Sequence, residues 1–184
     1  MCAGPGGKAA LLSSIARKRG IKFTANEVSA VRADLVRQVV NGDRVLVGDG
    51  RDIGNHGEKF DAILIDAPCT GLGALRRRPE VRWRRTLQDL RELTQLQREL
   101  IQSGISALNV GGVLGYATCS PHLAETSIQI ADIKKKFTNV DQIPVGAFMP
   151  QNLQGGLRDE AMSLWTHRVG TDGMYLALFK KNRE

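Results

Sequence analysis

Two of the three cysteines lie at the ends of apolar segments that are predicted to be buried strands. Cys69 comes after residues 60–65 and a short Asp-Ala-Pro stretch, and Cys119 comes directly after residues 113–118. A thiolate is a strong nucleophile, but a free thiol has a pKa of about 8.5 and needs nearby positive charge or coupled proton transfer to ionise. A lone cysteine in an apolar context is usually inert, whereas two at neighbouring strand ends indicate nucleophilic catalysis.

Methylation of a pyrimidine at carbon 5 is a reaction that needs two thiols in this arrangement. Carbon 5 is a poor nucleophile until a thiolate adds to carbon 6, after which carbon 5 can attack an electrophilic methyl group. The carbon-5 proton must then leave and the thiol must be expelled. Asp66, at the same predicted strand end as Cys69, carries a carboxyl group that can hydrogen-bond ring nitrogen 3 and the exocyclic amine.

A glycine-rich segment and three acids predict a nucleoside site. Residues 4–9 fit the pattern G-x-G-x-x-A, and Glu27, Asp49 and Asp66 end the next three predicted strands. Ligands of open α/β sheets bind outside the carboxyl ends of the strands, where a carboxylate can accept hydrogen bonds from ribose hydroxyls. The pattern does not by itself separate NAD from S-adenosylmethionine. The alternative is a tight turn with solvated acids at the strand ends.

An arginine-rich segment, residues 74–85, follows the first cysteine block. Arginines bind phosphates, and a tryptophan among them can stack on an exposed base, so the segment is predicted to bind RNA. A target base must leave its stack to reach a thiol, which favours single-stranded or looped RNA. The alternative is a solvated charge run with the tryptophan as a packing anchor. The residues are Arg76, Arg77, Arg78, Arg82, Trp83, Arg84 and Arg85.

The elements that must position these residues alternate between strand and helix, which predicts a doubly wound α/β fold in one domain, residues 1–184. Residues 60–65 are nearly all apolar, as in a strand buried on both faces of a parallel sheet. We therefore expect a mostly parallel sheet with a C-terminal antiparallel hairpin around residues 170–173. Residues 138–160 are predicted to form a long loop.

A strand normally leads into such a glycine loop and forms the centre of the sheet, yet this sequence begins at the loop. We therefore expect the first strand to be missing and the domain to be incomplete at its N-terminus.

Composition narrows the class of protein. Of the 184 residues, 42% are hydrophobic and 24% are charged, which is ordinary for a soluble globular protein. No apolar run approaches the ~18 residues of a membrane span, and residues 1–8 lack the long apolar stretch that is typical of a secretory signal. Three cysteines favour a reducing cytoplasm over a disulfide scaffold. The net charge of +7 suggests a polyanionic partner. His56, His122 and His167 are scattered, so no metal site is predicted.

Three blocks of the chain resemble the signature blocks of RNA cytosine-5 methyltransferases of the Nol/Nop/Sun type, in particular the bacterial Sun-like (RsmB-type) small-subunit rRNA methyltransferases. The resemblance runs over nearly the whole chain, to residues 171–178 near its end. It implies a Rossmann-like S-adenosylmethionine-dependent methyltransferase fold. The blocks are Cys2-Ala3-Gly4-Pro5-Gly6-Gly7-Lys8, Asp66-Ala67-Pro68-Cys69-Thr70-Gly71-Leu72-Gly73 and Thr118-Cys119-Ser120.

The resemblance also implies roles for individual residues. Cys119 is the implied nucleophile, Cys69 assists product release, and Asp66 contacts the base. Lys8 lies near the active site, within the glycine block. Glu27 is the implied ribose ligand and Asp49 the adenine-side ligand. The residues implied to bind S-adenosyl-L-methionine are Cys2, Ala3, Gly4, Pro5, Gly6, Gly7, Lys8, Glu27, Asp49 and Asp66.

Glu125 matches the first acid that follows the Thr-Cys-Ser block in the family. The usual Asn-Glu after it is replaced here by Thr126 and Ser127. The sequence therefore assigns no firm role to Glu125.

The favoured hypothesis is a monomeric RNA cytosine-5 methyltransferase that uses S-adenosylmethionine and acts on 16S rRNA. The alternative is a truncated, inactive remnant that only binds RNA. A dinucleotide-dependent oxidoreductase would share the glycine loop but gives no reason for both cysteines. A DNA cytosine methyltransferase would use the cysteine after Pro68 as nucleophile and leaves Cys119 unexplained.

Overall fold

The computed structural model describes all 184 residues, except for the side chain of His56. The prediction for that histidine therefore lies outside the described residues. The helices are α1 (Gly7–Lys18), α2 (Ala30–Val39), α3 (Val81–Arg84), α4 (Leu87–Ala107), α5 (Ser127–Lys136) and α6 (Thr166–Val169). The strands are β1 (Thr24–Glu27), β2 (Arg44–Val47), β3 (Phe60–Asp66), β4 (Leu108–Thr118), β5 (Val140–Ile143), β6 (Leu157–Arg158), β7 (Ala161–Leu164) and β8 (Met174–Lys181).

The strands form two sheets. One contains β1 and β2 in parallel, and the other has the order β3-β4-β8-β7-β6, with β5 also pairing with β8. In the second sheet only β3 and β4 run parallel, and the pairs β4–β8, β5–β8, β6–β7 and β7–β8 are antiparallel. The predicted α/β class is confirmed, but the prediction of a mostly parallel sheet is wrong.

The C-terminal part of the chain explains that difference. The predicted antiparallel hairpin exists as β7 and β8, although residues 166–169 form α6 instead of extending the first strand. The predicted loop at residues 138–160 contains β5 and β6, each of which pairs in the antiparallel sense. The short connections between β6 and β7 and between β7 and β8 allow only antiparallel pairing, because parallel pairing needs a long crossover. Strands β4 and β5 reach β8 through longer connections, so this reason does not apply to them.

Residues 1–3 lie between the two sheets. The Met1 amino group donates to the Leu64 carbonyl at 2.7 Å, and the Met1 carbonyl accepts from the Asp66 amide at 3.3 Å. On the other side, the Ala3 amide donates to the Asn26 carbonyl at 2.9 Å. Among the described residues no strand lies between β1 and β3, and these three residues provide the backbone contact there.

Helix α4 begins at the predicted N-cap. The Thr86 hydroxyl accepts from the Asp89 amide, and the Asp89 carboxylate accepts in return from the Thr86 amide, which completes a capping box. The apolar face of the helix then packs on β3 and β4, and α5 packs beside it. The largest fully buried apolar side chains of this core are Ile65, Leu100, Ile101, Leu108, Leu114, Tyr116 and Phe179.

The parallel register of β3 and β4 positions the site. Asp66 pairs with Ala117 at the carboxyl ends of the two strands, so the loops that follow leave the sheet side by side. None of the helices described here combines the length and apolar character that spanning a bilayer requires.

Candidate active site

The two cysteine loops meet at the carboxyl ends of β3 and β4. The Sγ atoms of Cys69 and Cys119 are 3.3 Å apart, and both side chains are half-buried. This separation is short enough for one thiol to donate a hydrogen bond to the other sulfur. The two sulfurs are therefore close enough for both to contact a single base.

The two thiols differ in pKa. The hydrogen bond from Cys69 holds the pKa of Cys119 at about 7, with a further lowering contribution from the charge of Lys8 and opposing contributions from burial and Asp66. The same hydrogen bond, together with burial, raises the pKa of Cys69 far above that of an ordinary thiol. With a pKa of about 7, a large fraction of Cys119 is thiolate at neutral pH, and Cys69 is the thiol that donates to it.

Lys8 and Asp66 form an ion pair beside the sulfurs. Lys8 lies in the first turn of α1, and its Nζ is 2.7 Å from Asp66 Oδ2 at the end of β3. Both side chains remain partly exposed, so the pair contributes little to stability. Its two charges act in opposite directions on the Cys119 thiol, because the Asp66 carboxylate raises the pKa of Cys119 and the Lys8 ammonium lowers it.

Three loops converge on Gly73. Its amide donates to the Cys119 carbonyl at 2.9 Å, and its carbonyl accepts from the Gly173 amide at 2.7 Å. A Cβ at residue 73 would lie 2.1 Å from the Gly173 carbonyl oxygen and 2.8 Å from that of Cys119. Next to this junction, Arg77 forms an ion pair with Asp172. Sequence reasoning included Gly73 and residues 171–178 in the resemblance but gave them no role.

A buried polar cluster lies behind the sulfurs. The carboxylate of Glu125 accepts hydrogen bonds from Thr70 and Gln97, and the Thr70 hydroxyl contacts that of Ser120 at 3.1 Å. Tyr116 donates to the Glu125 carbonyl and to Gln97. Apart from Glu125, sequence reasoning missed this cluster. The available signal was Gln97, a polar residue on the apolar face of α4.

Glu27 holds the glycine loop onto β1. Its carboxylate accepts from the amides of Gly4 at 2.9 Å and Ser29 at 3.0 Å, and it forms an ion pair with Arg32 at 2.6 Å. The side chain is only 1% exposed. A Cβ at Gly4 would lie 2.8 Å from the Glu27 carboxylate, so only glycine permits this approach. In this structure the carboxylate is engaged by the protein itself, and its role as ribose ligand stays a prediction.

Asp49 follows β2 and caps the 3₁₀ turn of residues 50–56. Its carboxylate accepts from the amide and guanidinium of Arg51, which lowers the pKa of Asp49. The carboxyl group borders a cavity of about 270 Å³, whose wall includes Leu46 and Ile53. An acceptor beside an apolar wall fits the adenosine portion of a nucleoside cofactor.

Cys2 is placed differently from the other two cysteines. It packs against the main core, and burial raises its pKa to about 11. Its thiol is therefore protonated at neutral pH, as expected of a packing residue. Its contact with the cofactor stays a prediction.

Comparison with known proteins decides the family. The family described as "16S rRNA methyltransferase RsmB/F" matches residues 1–180. The chain belongs to this family. The RsmB/F family consists of S-adenosylmethionine-dependent RNA cytosine-5 methyltransferases, which confirms both the predicted family and the predicted cofactor.

Individual relatives cover the chain but extend well beyond it. The protein named "Putative methyltransferase Rv1407", from Mycobacterium tuberculosis strain H37Rv, is 45% identical over 98% of this chain and 40% of its own length. "Ribosomal RNA small subunit methyltransferase B" of Yersinia enterocolitica is 38% identical over 79% of this chain and 35% of its own length. The chain thus spans about 40% of the length of the former relative.

The fold of a solved structure supports the family assignment. The crystal structure of NSun6 from Pyrococcus horikoshii with SFG, an analogue of S-adenosylmethionine, superposes with a TM-score of 0.85. Its sequence is 26% identical, and the match covers all of this chain and 47% of that one. The RsmB/F assignment therefore rests on both sequence and fold.

The arginine-rich segment of this RsmB/F chain lies at the surface beside the cysteine loops. Trp83 is 78% exposed, with the Arg82 guanidinium 4.9 Å from its ring centre, so it does not act as the alternative packing anchor. Arg85 lies 3.9 Å from Asp89. Within the described part of the chain, four arginines of the segment have no ion-pair partner: Arg76, Arg78, Arg82 and Arg84.

The described histidines have structural contacts. His122 Nδ1 accepts from the Ala124 amide, and the His167 ring lies 6.0 Å from the Trp165 ring. No group of three or more potential metal ligands occurs among the side chains that the structure describes.

Proposed function

We propose that this RsmB/F chain transfers a methyl group from S-adenosylmethionine to carbon 5 of a cytosine in RNA, through a covalent adduct with Cys119. The observation that carries the proposal is the 3.3 Å contact between the sulfurs of Cys119 and Cys69 at adjacent strand ends. It supplies one ionised and one protonated thiol within reach of a single base.

The bound cofactor supplies an electrophilic methyl group. The Cys119 thiolate adds to carbon 6, and the electrons that this releases let carbon 5 form a bond to the methyl carbon as the bond from that carbon to the cofactor sulfur breaks. A base then removes the carbon-5 proton, the double bond between carbons 5 and 6 re-forms, and Cys119 leaves as thiolate. Cys69 is close enough to assist this release, and Asp66 and Lys8 are the charged groups that would hold the base.

The proposed substrate is single-stranded or looped RNA, specifically 16S rRNA. The exposed Trp83 offers a stacking surface for an unpaired base, and the arginines around it offer phosphate contacts. The family description and the Yersinia enterocolitica relative both name small-subunit rRNA. These names support the choice of 16S rRNA as the first substrate to test.

Methyl transfer from radiolabelled S-adenosylmethionine to 16S rRNA tests the proposal. Cys119→Ala should abolish transfer, because no thiolate adds to carbon 6. Cys69→Ala should instead accumulate an RNA–protein adduct that survives denaturing electrophoresis. The two variants are matched controls, since each removes one sulfur of the same pair. Full activity of C119A would contradict the proposed role of Cys119.

RNA binding without methyl transfer is the second candidate function. The hydrogen bonding of Glu27 favours this candidate. The carboxylate that is predicted to bind the cofactor ribose already accepts from Gly4 and Ser29 and pairs with Arg32. Calorimetric titration with S-adenosylmethionine separates the two candidates. Micromolar binding supports the methyltransferase, and the absence of binding supports the RNA-binding protein.

A further inference from the structure

Glu125 is a fully buried carboxylate that the proposed reaction does not use. It lies in the 3₁₀ turn Leu123–Glu125, after the Cys119 loop, and its side chain is 0% exposed. Burial of a carboxylate is costly unless hydrogen bonds replace its lost hydration. Among the described residues its donors are the Thr70 amide at 2.8 Å, the Thr70 hydroxyl at 2.5 Å and the Gln97 amide group at 3.1 Å.

These contacts connect the two cysteine loops. Thr70 directly follows Cys69 in the chain, and Ser120 directly follows Cys119. Because the Thr70 hydroxyl donates to Glu125, it accepts from the Ser120 hydroxyl, 3.1 Å away. The hydroxyls and the carboxylate thus form a chain of hydrogen bonds that runs from the second loop to the first.

The cluster is also fixed to the core. Gln97 projects from α4 and donates to both Glu125 and the Pro68 carbonyl, which is one residue before Cys69. Tyr116, in β4, donates to the Glu125 carbonyl at 2.9 Å. Each end of the Pro68–Thr70 segment is therefore anchored to a rigid element.

We propose that Glu125 is a positioning residue that, through Thr70 and Ser120, fixes the separation of the Cys69 and Cys119 sulfurs. The inference deepens the proposed function, since the separation matters only if both thiols act on one base. Without the carboxylate the Thr70 amide and hydroxyl lose their acceptor in a buried place, and the Cys69 loop must move to hydrate them. Cys69 then no longer donates to Cys119.

Alkylation of the thiols by iodoacetamide as a function of pH, read by mass spectrometry of the cysteine peptides, tests this inference. In the parent chain Cys119 should react with a midpoint near pH 7, and Cys69 should stay protected. Glu125→Ala should move the Cys119 midpoint towards about 8.5, the value of a free thiol, and expose Cys69. Glu125→Gln keeps an oxygen acceptor for Thr70 and should keep the parental midpoint.

Two further variants separate positioning from general destabilisation. Thr70→Val retains the side-chain volume and the backbone bond but breaks the hydroxyl chain, so it should shift the Cys119 midpoint in the same direction as E125A. Ser13→Ala removes a buried hydroxyl whose hydrogen bonds go to Val40, Asp43 and Arg17, and it should leave the midpoint unchanged.

An unchanged Cys119 midpoint in Thr70→Val would overturn the inference, even if Glu125→Ala fails to fold. A Cys119 midpoint that shifts as far in Glu125→Gln as in Thr70→Val would also overturn the inference. The charge of Glu125, and not its anchoring of Thr70, would then determine the pKa of Cys119. Alkylation needs neither RNA nor cofactor. Its outcome is therefore independent of whether the chain methylates RNA.

Discussion

Gly73→Ala is the substitution for which the structure predicts the clearest effect. The added methyl carbon would lie 2.1 Å from the Gly173 carbonyl oxygen and 2.8 Å from the Cys119 carbonyl oxygen. Both neighbours are backbone atoms, so no side-chain rotation relieves the overlap. To restore ordinary van der Waals contact, the Gly173 carbonyl must move away by more than 1 Å and the Cys119 carbonyl by roughly half an ångström.

The cost follows from what this movement breaks. Two backbone hydrogen bonds of Gly73, to Cys119 and Gly173, are lost or lengthened, at about 1 kcal/mol each. Overpacking of a well-packed position adds about 1–3 kcal/mol. We therefore expect a loss of about 3–5 kcal/mol in the free energy of unfolding, which for a chain of this length lowers Tm by roughly 5–20 °C.

Urea denaturation and thermal unfolding measure this loss, and iodoacetamide alkylation reports on the sulfurs in the folded fraction. Gly155→Ala is the matched control, because nothing lies within 4 Å of a Cβ at that residue and its φ is not positive. The control should stay within about 0.5 kcal/mol of the parent. If Gly73→Ala is as stable as Gly155→Ala and leaves the reactivity of Cys119 unchanged, the convergence of three loops on residue 73 does not hold the site.

Three further predictions concern pH dependence, RNA binding and folding. Cys69→Ala removes the donor that lowers the pKa of Cys119, so the alkylation midpoint of Cys119 should rise from about 7 towards about 8.5, with less thiolate at every pH between those values. Arg78→Ala should weaken RNA binding and reduce the slope of log affinity against log salt by about one, as measured by fluorescence anisotropy, whereas Arg37→Ala on α2 should leave the slope unchanged. Thr86→Ala breaks the capping box of α4 and should cost about 1 kcal/mol in urea denaturation.

The features that could be predicted from the sequence are those encoded by neighbouring residues. Residues 60–65 and 113–118 form strands whose register brings Asp66 and Ala117 to the same edge, because apolar runs and their ends are local signals. The N-cap at Thr86 is equally local, since it depends only on the hydroxyl and on the acid three residues later.

The pairing of the C-terminal strands could not be predicted in the same way. β5 has the sequence Val-Asp-Gln-Ile and β6 only two residues, so neither has an alternating pattern long enough to recognise. β5 pairs with the end of β8, which is distant in sequence, whereas β6 pairs with β7 in a local hairpin. Long-range pairing such as that of β5 is set by the edges that the rest of the fold leaves open, and the two-residue β6 is too short to recognise, which explains why residues 138–160 resemble a loop in sequence.

Glu27 and Glu125 mark the limit of predicting a site from residue chemistry. Glu125 was identified as the acid that follows the Thr-Cys-Ser block and Glu27 as an acid at a strand end, and the position of Glu27 at a strand end was predicted correctly. Yet each is almost fully buried and is engaged by backbone amides of a functional loop, Glu27 by that of Gly4 and Glu125 by that of Thr70. For Glu125 these contacts support the positioning role proposed above, whereas the role of Glu27 as ribose ligand stays a prediction. Sequence patterns identify residues capable of chemistry, whereas burial and bonding decide whether such a residue reacts or positions another.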